Sequence, residues 1–270
     1  MIFFKKKPEA IIEIEKNIET KKKKKFFKIP YVTIALMILI LITYGWQNYY
    51  YYSEGKWLTR DKFNDLGFSL DNVLAGKLHV FATSIFLHAG PDHIILNLLA
   101  LLFFGKAVEE TLGWKKMLLV FFSAAIVGNL AVLSAILLGL MPAGAVTIGA
   151  SGAIFGLLGV AMLVDPLEIV IYPYVIPVPL ILVAVMYTIY NIGAFVSTVL
   201  TGTATDIAYV AHIGGLIAGM LIGFKLEGKR KGFISILLIL LTLILIPVFW
   251  ETLQYLESYN YIQLFAEAFA

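Results

Sequence analysis

The chain has 270 residues, of which 60% are hydrophobic and only 14% are charged, and its mean hydropathy is +0.87. This composition is far more apolar than that of soluble domains and indicates a polytopic protein of the lipid bilayer. The net charge of +3 comes from lysines that flank apolar segments, which are interpreted as topology signals, so no nucleic-acid partner is expected. Because cysteine is absent, disulfides, thiolate metal sites and thiol catalysis are excluded.

Seven apolar segments recur at the spacing of transmembrane helices. The first, about 31–50, follows a basic, cytoplasmic segment over 1–29 and ends in an aromatic belt, so it is predicted to be an uncleaved signal anchor. The other six are predicted near 92–111, 115–139, 151–165, 169–199, 208–225 and 233–250. The predicted fold is therefore all-α, a membrane helical bundle with a six-helix core over 30–228 and an additional transmembrane helix and tail over 229–270.

The basic residues also predict the orientation of these segments. Lysines and arginines are concentrated before the first segment and in the connections at Lys115 and at 225–231, whereas the connections at 140–148 and 200–207 contain none. The positive-inside rule then gives a cytoplasmic N-terminus. We expect a plasma-membrane protein with a site that opens toward the outer face.

The motif Gly149-Ala150-Ser151-Gly152 begins the fourth segment. Glycine on both sides of a serine lets the backbone turn sharply and lets another group approach closely. The segment is short, about 15 residues or about 22 Å of a hydrocarbon core of about 30 Å, so Ser151 is predicted at a helix N-terminus below the membrane surface. Free N–H groups there suit an oxyanion. The alternative is a small-residue motif for helix packing.

His212 lies near the outer end of the sixth segment. Small residues that share one helix face allow close approach of a second helix. Such stripes occur in both segments, as Ala211, Gly215 and Gly219 beside His212, and as Gly152 and Gly156 after Ser151. Packing of one stripe on the other would bring Ser151 near His212, and imidazole is the natural base for a serine hydroxyl. The alternative is a histidine hydrogen-bonded for structure.

Three further polar residues lie at the start of the second segment: His88 just before it, and His93 and Asn97 within it. If the helix starts near Pro91, His93 and Asn97 share one face, and two donors aimed in one direction suit an oxyanion hole. The alternatives are interhelical hydrogen bonds and a zinc site, but the HExxH pattern and an acidic ligand are absent. No metal and no cofactor are expected. His79 is interpreted as a surface histidine.

The motifs HAGPDHIILN, GKAVEETLG, GASG and AHIGGLIAG occur in this order between about 77 and 225. In this order they resemble the rhomboid family of intramembrane serine proteases, which act on transmembrane protein substrates. The resemblance implies that Ser151 is the nucleophile and His212 its base. It further implies that His93, Asn97 and the Ser151 backbone N–H hold the oxyanion, and that Gly149 shapes the adjoining loop.

The resemblance also assigns supporting residues. His88 is expected to order the first outer loop, and Glu109 to make structural hydrogen bonds at the inner end of the second helix. Since no acidic residue lies in the fifth or sixth segment and the nearest is Asp206, we expect a Ser–His dyad. The His212 ring would then be oriented by packing, with Phe155, one turn after the serine, against it.

Two other functions remain open at this point. One is an inactive rhomboid-like protein that binds transmembrane clients, which would usually lack the serine or the histidine. The other is a small transporter whose broken helix at Ser151 lines a pathway, which should show repeated halves. The sequence keeps both Ser151 and His212 and shows no repeat.

The seven-segment topology predicts that the C-terminus lies outside the cell. A reporter enzyme that is active only outside the cytoplasm should be active when it is fused after Ala270. The same reporter fused after Glu227, beside a basic connection, should be inactive, because that position is predicted to be cytoplasmic. A cytoplasmic signal from both fusions would contradict a seventh span and leave the six-helix core unaffected.

Overall fold

The structure, a computed structural model, describes residues 29–53, 65–164, 169–171, 174–176, 180–201 and 208–227. The predicted all-α membrane bundle is confirmed. Residues 1–28 of the basic segment and the predicted seventh span lie outside the described residues. The helices are α1 (Tyr31–Ser53), α2 (Leu70–Leu74), α3 (Val80–Thr83), a 3₁₀ turn (Ser84–Phe86), α4 (Pro91–Leu112), α5 (Trp114–Leu137), α6 (Ser151–Val164), α7 (Leu180–Thr201) and α8 (Tyr209–Glu227).

Short antiparallel pairs of strands accompany the helices in the described part of the chain. Strands β1 (Phe68–Ser69) and β2 (Val146–Thr147) pair with Phe68 opposite Thr147, which joins the first loop to the segment that leads into α6. Strands β3 (Ile169–Ile171) and β4 (Tyr174–Ile176) form a further pair. The latter pair shows that the predicted helix over 169–199 is wrong at its start, because α7 begins only at Leu180.

The late start of α7 has a physical reason in the sequence. The strands are rich in valine, isoleucine and tyrosine, which favour extended backbone. Pro177 and Pro179 follow directly, and proline has no backbone N–H and is tolerated in a helix only at its first turn. An apolar stretch can therefore be long without being one helix.

Helix α6 lies at the centre of the bundle. Each of its residues from Gly152 to Val164 is buried, and the helix packs against α4, α5, α7 and α8. Its 14 residues measure about 21 Å, less than the hydrocarbon thickness. Because other helices surround α6, its length need not equal the thickness of the hydrocarbon core. Its first residue can therefore lie inside the bundle.

Small residues set the distance between α6 and α8. A Cβ atom added at Gly215 would meet the carbonyl of Gly152, and one added at Gly219 would meet the carbonyl of Gly156. A Cβ at Gly159 would lie 2.7 Å from the carbonyl oxygen of Leu216. The structure thus brings the two predicted stripes together, with backbone against backbone.

The longer helices have the properties of membrane spans. Within the described residues, α5, most of α8 and the Tyr31–Tyr49 part of α1 are long and apolar enough to cross a membrane. The unit formed by Val80–Phe86 and α4, bent by 98°, would make a fourth span. The protein is therefore an integral, multi-pass membrane protein.

Glu109 joins α4 to the start of α1. Its Oε1 accepts a hydrogen bond from the Val32 N–H at 3.0 Å, and its Oε2 accepts from the N–H and the hydroxyl of Thr33, both at 2.7 Å. A carboxylate is favourable there because the first N–H groups of a helix have no intrahelical partner. Gly105 leaves room for this contact, since a Cβ would lie 2.9 Å from Thr33 Cγ2.

The close contact of α6 and α8 predicts that Gly219→Ala destabilises the bundle by about 1–3 kcal/mol, because the new methyl would press on backbone atoms of Gly156. The matched control is Gly193→Ala on α7, where an added Cβ has nothing within 4 Å and helix propensity improves by up to about 1 kcal/mol. Thermal unfolding in detergent measures both. Equal stability of Gly219→Ala and wild type would contradict this packing.

Candidate active site

Ser151 is the first residue of α6 and is half-buried. The first N–H groups of a helix have no intrahelical partners and lie at the positive end of the helix dipole. The preceding backbone is held by a hydrogen bond of 2.8 Å from the Gly149 N–H to the Ser84 carbonyl. Gly149 has φ +113°, a conformation that side chains with a Cβ rarely adopt, so the turn requires glycine.

His212 lies in the first turn of α8 and contacts Ser151. The distance between His212 Nε2 and Ser151 Oγ is 2.7 Å, although the residues are 61 positions apart in the chain. This is a hydrogen-bonding distance at which an imidazole lone pair can accept the hydroxyl proton. The structure therefore brings together the two residues that the sequence selected as nucleophile and base.

Aromatic rings pack around His212. Phe155 stacks on the imidazole with ring centroids 4.4 Å apart and an interplanar angle of 8°, as the sequence predicts for the residue one turn after Ser151. Tyr209 lies edge-on at 6.3 Å. Phe155 thus covers one face of the His212 imidazole, which cannot tilt without displacing Phe155.

The other ring nitrogen of His212 has a partner that the sequence analysis missed. His212 Nδ1 lies 2.6 Å from Oδ1 of Asn191 on α7, and Asn191 is buried. Asp206, the nearest acidic residue in the sequence, lies outside the described residues. Asn191 is neither ionisable nor part of a motif, but a neutral asparagine in an apolar span is itself a signal, because lipid offers no hydrogen bond to its amide.

His93, in the first turns of α4, borders the same space as Ser151. The Ala89 N–H donates to His93 Nδ1 at 3.3 Å, so in the neutral ring the proton is on Nε2. A Cβ at Gly149 would lie 2.7 Å from His93 Nε2 and 3.9 Å from Ser151 Oγ. The absence of a side chain at Gly149 therefore leaves room for an N–H donor beside the serine.

Asn97 lies one turn further along α4 and is buried. Its Nδ2 donates to the His93 carbonyl at 2.7 Å, which uses one of its two N–H groups. Among the described residues, no hydrogen bond joins Asn97 to Ser151. The structure therefore places Asn97 on the predicted face and in contact with His93, and its amide has a second N–H to donate.

His88 is fully buried and is held by a residue that the sequence analysis did not select. Gln47 of α1 donates from Nε2 to the His88 carbonyl at 2.7 Å and accepts from the His88 N–H at 3.2 Å. The His88 ring lies edge-on to His93, with centroids 5.0 Å apart. Gln47 thereby fixes the backbone that positions Ala89 and His93, in keeping with a loop-ordering role for His88.

A small cavity borders Ser151 on the side of α5. Its polar lining includes Ser84, Asn129 and Thr147, and the Asn129 amide donates to the Ser84 hydroxyl at 3.4 Å. Polar side chains here are exceptional in an apolar bundle and offer hydrogen bonds to water.

The fourth histidine, His79, is exposed, which confirms it as a surface residue. Its Nε2 lies 3.1 Å from the carbonyl of Asp65, in the loop before α2. A hydrogen bond from Lys77 at 2.7 Å, together with its charge, holds the pKa of Asp65 below its usual range. Within the part of the chain that the structure describes, no group of three or more His, Asp or Glu side chains is arranged to hold a metal.

Comparison with known proteins identifies the family of this chain. The family model of the Rhomboid domain matches residues 75–229, which include Ser151 and His212. The chain belongs to the rhomboid family. Gln47, which contacts the site from α1, lies outside the matched region.

Several rhomboid relatives are similar over part of their length. The chain is 29% identical to RHOMBOID-like protein 12, mitochondrial, of Arabidopsis thaliana over 182 residues, 63% of this chain and 53% of that protein. It is 30% identical to the rhomboid-named YdcA of Bacillus subtilis over 168 residues, 61% of this chain and 75% of that protein. It is 43% identical to Rhomboid-like protease 3 of Toxoplasma gondii over 77 residues, 28% of this chain and 27% of that protein. The chain thus spans about half the length of the plant relative.

Proposed function

We propose that the protein is an intramembrane serine endopeptidase that cleaves transmembrane segments of membrane proteins, with Ser151 as nucleophile and His212 as base. The observation that carries this proposal is the 2.7 Å contact between Ser151 Oγ and His212 Nε2 inside an apolar helical bundle. Membership in the rhomboid family, which has protease-named relatives, supports the same class of reaction.

The reaction proceeds in two steps that share the same groups. His212 Nε2 takes the hydroxyl proton as Ser151 Oγ attacks the carbonyl carbon of the scissile peptide bond. The imidazolium then returns the proton to the leaving amine, which departs and leaves an ester on Ser151. Water, deprotonated by the same imidazole, hydrolyses the ester and restores the serine.

The negative charge that forms on the carbonyl oxygen needs hydrogen-bond donors. We assign this role to three groups: the backbone N–H of Ser151, the Nε2–H of His93, which borders the space beside the serine, and the second amide N–H of Asn97. Donors that are already oriented in a water-poor site cost no reorganisation when the charge appears. The lack of a side chain at Gly149 keeps this space open.

The position of the dyad limits the substrates. Ser151 and His212 lie at the N-terminal ends of α6 and α8, which both run inward under the predicted topology, so the site opens toward the outer face of the membrane. A transmembrane helix must unwind locally to offer a carbonyl to a nucleophile. Segments with small or helix-breaking residues near the outer face should therefore be cleaved preferentially.

The test compares purified wild type with Ser151→Ala on a panel of single-span substrates of this kind. Wild type should cleave some of them and react with a fluorophosphonate, whereas Ser151→Ala should do neither. Cleavage by both proteins would exclude Ser151 as nucleophile. Binding of substrates without cleavage or labelling by wild type would instead indicate an inactive protein that binds transmembrane clients.

The dyad further predicts strongly non-additive losses, because two residues that act as one unit share one function. Ser151→Ala, His212→Ala and the double variant should show the same residual turnover, near background. Phe155→Ala should be impaired but active, since the stacked ring orients the base without taking part in proton transfer. A double variant much slower than either single variant would contradict the shared role.

His93→Ala should lower turnover by about 100- to 1,000-fold with little change in KM, because an oxyanion donor acts on the developing charge. Asn97→Ala should also lower turnover, but by less, because His93 still donates to the oxyanion. The matched control is His79→Ala, which removes an exposed histidine and should leave turnover unchanged. Normal turnover in a His93/Asn97 double variant would rule out both donors.

A further inference from the structure

We propose that Asn191 is a positioning residue that holds His212 in the one neutral tautomer able to deprotonate Ser151. This inference rests on the proposed protease function and extends it from a Ser–His dyad to a Ser–His–Asn arrangement. Asn191 lies on α7, a helix that contains none of the sequence motifs of the site.

Both nitrogens of the His212 ring are engaged. Nε2 lies 2.7 Å from Ser151 Oγ and Nδ1 lies 2.6 Å from Asn191 Oδ1, so the three side chains form one chain of hydrogen bonds. Asn191 is only 2% exposed. Water therefore cannot readily replace the amide as the partner of Nδ1.

A second hydrogen bond fixes which way the Asn191 amide faces. Its Nδ2 donates to the Tyr187 carbonyl oxygen at 2.7 Å, and a carbonyl oxygen only accepts. The amide nitrogen must therefore face Tyr187 and the amide oxygen must face His212. The reversed amide would set two oxygens against each other at this distance.

The orientation of the amide determines the tautomer of the ring. An amide oxygen only accepts, so Nδ1 of His212 must carry the proton. A neutral imidazole has a single N–H, which leaves the lone pair on Nε2, where it can accept the proton of Ser151. The reversed amide would select the opposite tautomer, with an N–H aimed at the serine and no base.

Tyr187 also holds this end of the network by its ring, which lies 5.2 Å from Phe155 between ring centroids. Phe155 in turn stacks on His212. One turn of α7 thus contributes a carbonyl that orients the amide and a ring that supports the stack. Packing alone would leave the ring free to rotate by 180° about its stem, which the Asn191 hydrogen bond prevents.

A neutral amide suits this location better than a carboxylate. An aspartate would stabilise the imidazolium, but an ionised carboxylate inside a membrane bundle is costly. Papain-like proteases, with a Cys-His-Asn set, use an amide for the same orienting purpose. The Asn191 amide orients the His212 ring without adding a charge to the bundle.

The decisive variant is Asn191→Leu, which keeps the volume and removes the acceptor. Its kcat should fall by about 10- to 100-fold, while KM stays within about twofold. The loss is smaller than the roughly 100- to 10,000-fold contribution of a general base, because His212 itself remains. The control is Asn48→Leu on α1, since Asn48 makes the same bond to the carbonyl four residues earlier and, within the described residues, no hydrogen bond joins it to a histidine.

The outcomes separate this inference from the proposed function. Wild-type kcat in folded Asn191→Leu, with Ser151→Ala inactive, would overturn the role of Asn191 and leave the protease intact. An equal loss of kcat in Asn48→Leu would also overturn it, because that variant removes the same kind of intrahelical hydrogen bond without touching a histidine. Cleavage by Ser151→Ala would instead refute Ser151 as the nucleophile, and with it the proposed mechanism.

A measurement on the wild type covers the case in which Asn191→Leu does not fold. In protein labelled with ¹⁵N-histidine, the His212 resonances are those that disappear in His212→Ala. At neutral pH, Nδ1 of His212 should have the chemical shift of a protonated nitrogen and Nε2 that of an unprotonated one. The opposite pattern would overturn the inference.

Discussion

The contact between α6 and α8 is the constraint on which the rest of the structure depends. Glycines let the two backbones approach until Gly215 faces the carbonyl of Gly152, closer than any pair of side chains would permit. At this separation Ser151 and His212, each at the N-terminal end of its helix, come within hydrogen-bonding distance. A methyl group at the contact would separate the nucleophile from its base, so packing and chemistry impose the same requirement.

The apolar surroundings explain why so few polar contacts suffice to hold the site. A polar group in lipid gains from any partner it can find, because no water competes for its hydrogen bonds. The polar side chains accordingly join one helix to another. Gln47 of α1 binds the backbone of His88, Glu109 of α4 binds the start of α1, and Asn191 of α7 binds His212. Helix α1 is thus held near both of its ends, and α7 is held at the site.

The same surroundings shape the chemistry that we propose. The site relies on neutral groups: a serine, two imidazoles, two amides and backbone N–H groups at a helix end. Such groups can be buried without the desolvation cost of an ionised carboxylate. They can still orient a base and stabilise a developing negative charge. The cavity beside Ser151 is lined in part by Ser84, Asn129 and Thr147, whose polar groups offer hydrogen bonds next to this otherwise apolar centre.

Features that depend on local chemistry were determined by the sequence alone, whereas the partners Gln47 and Asn191 were decided only by the tertiary structure. The shortness of α6 placed Ser151 at a buried helix start, and the four-residue spacing of small residues predicted which faces of α6 and α8 meet. The start of α7 was predicted wrongly, because hydropathy measures how apolar a segment is and not whether it is helical. Periodicity likewise states which residues share a helix face, but not which helix that face meets. Asn191 lies 21 residues from His212 on another helix, and Gln47 lies 41 residues from His88, so no local pattern connects them. Their roles follow from how the helices pack, because the direction of a single amide depends on which carbonyl and which ring lie within its reach.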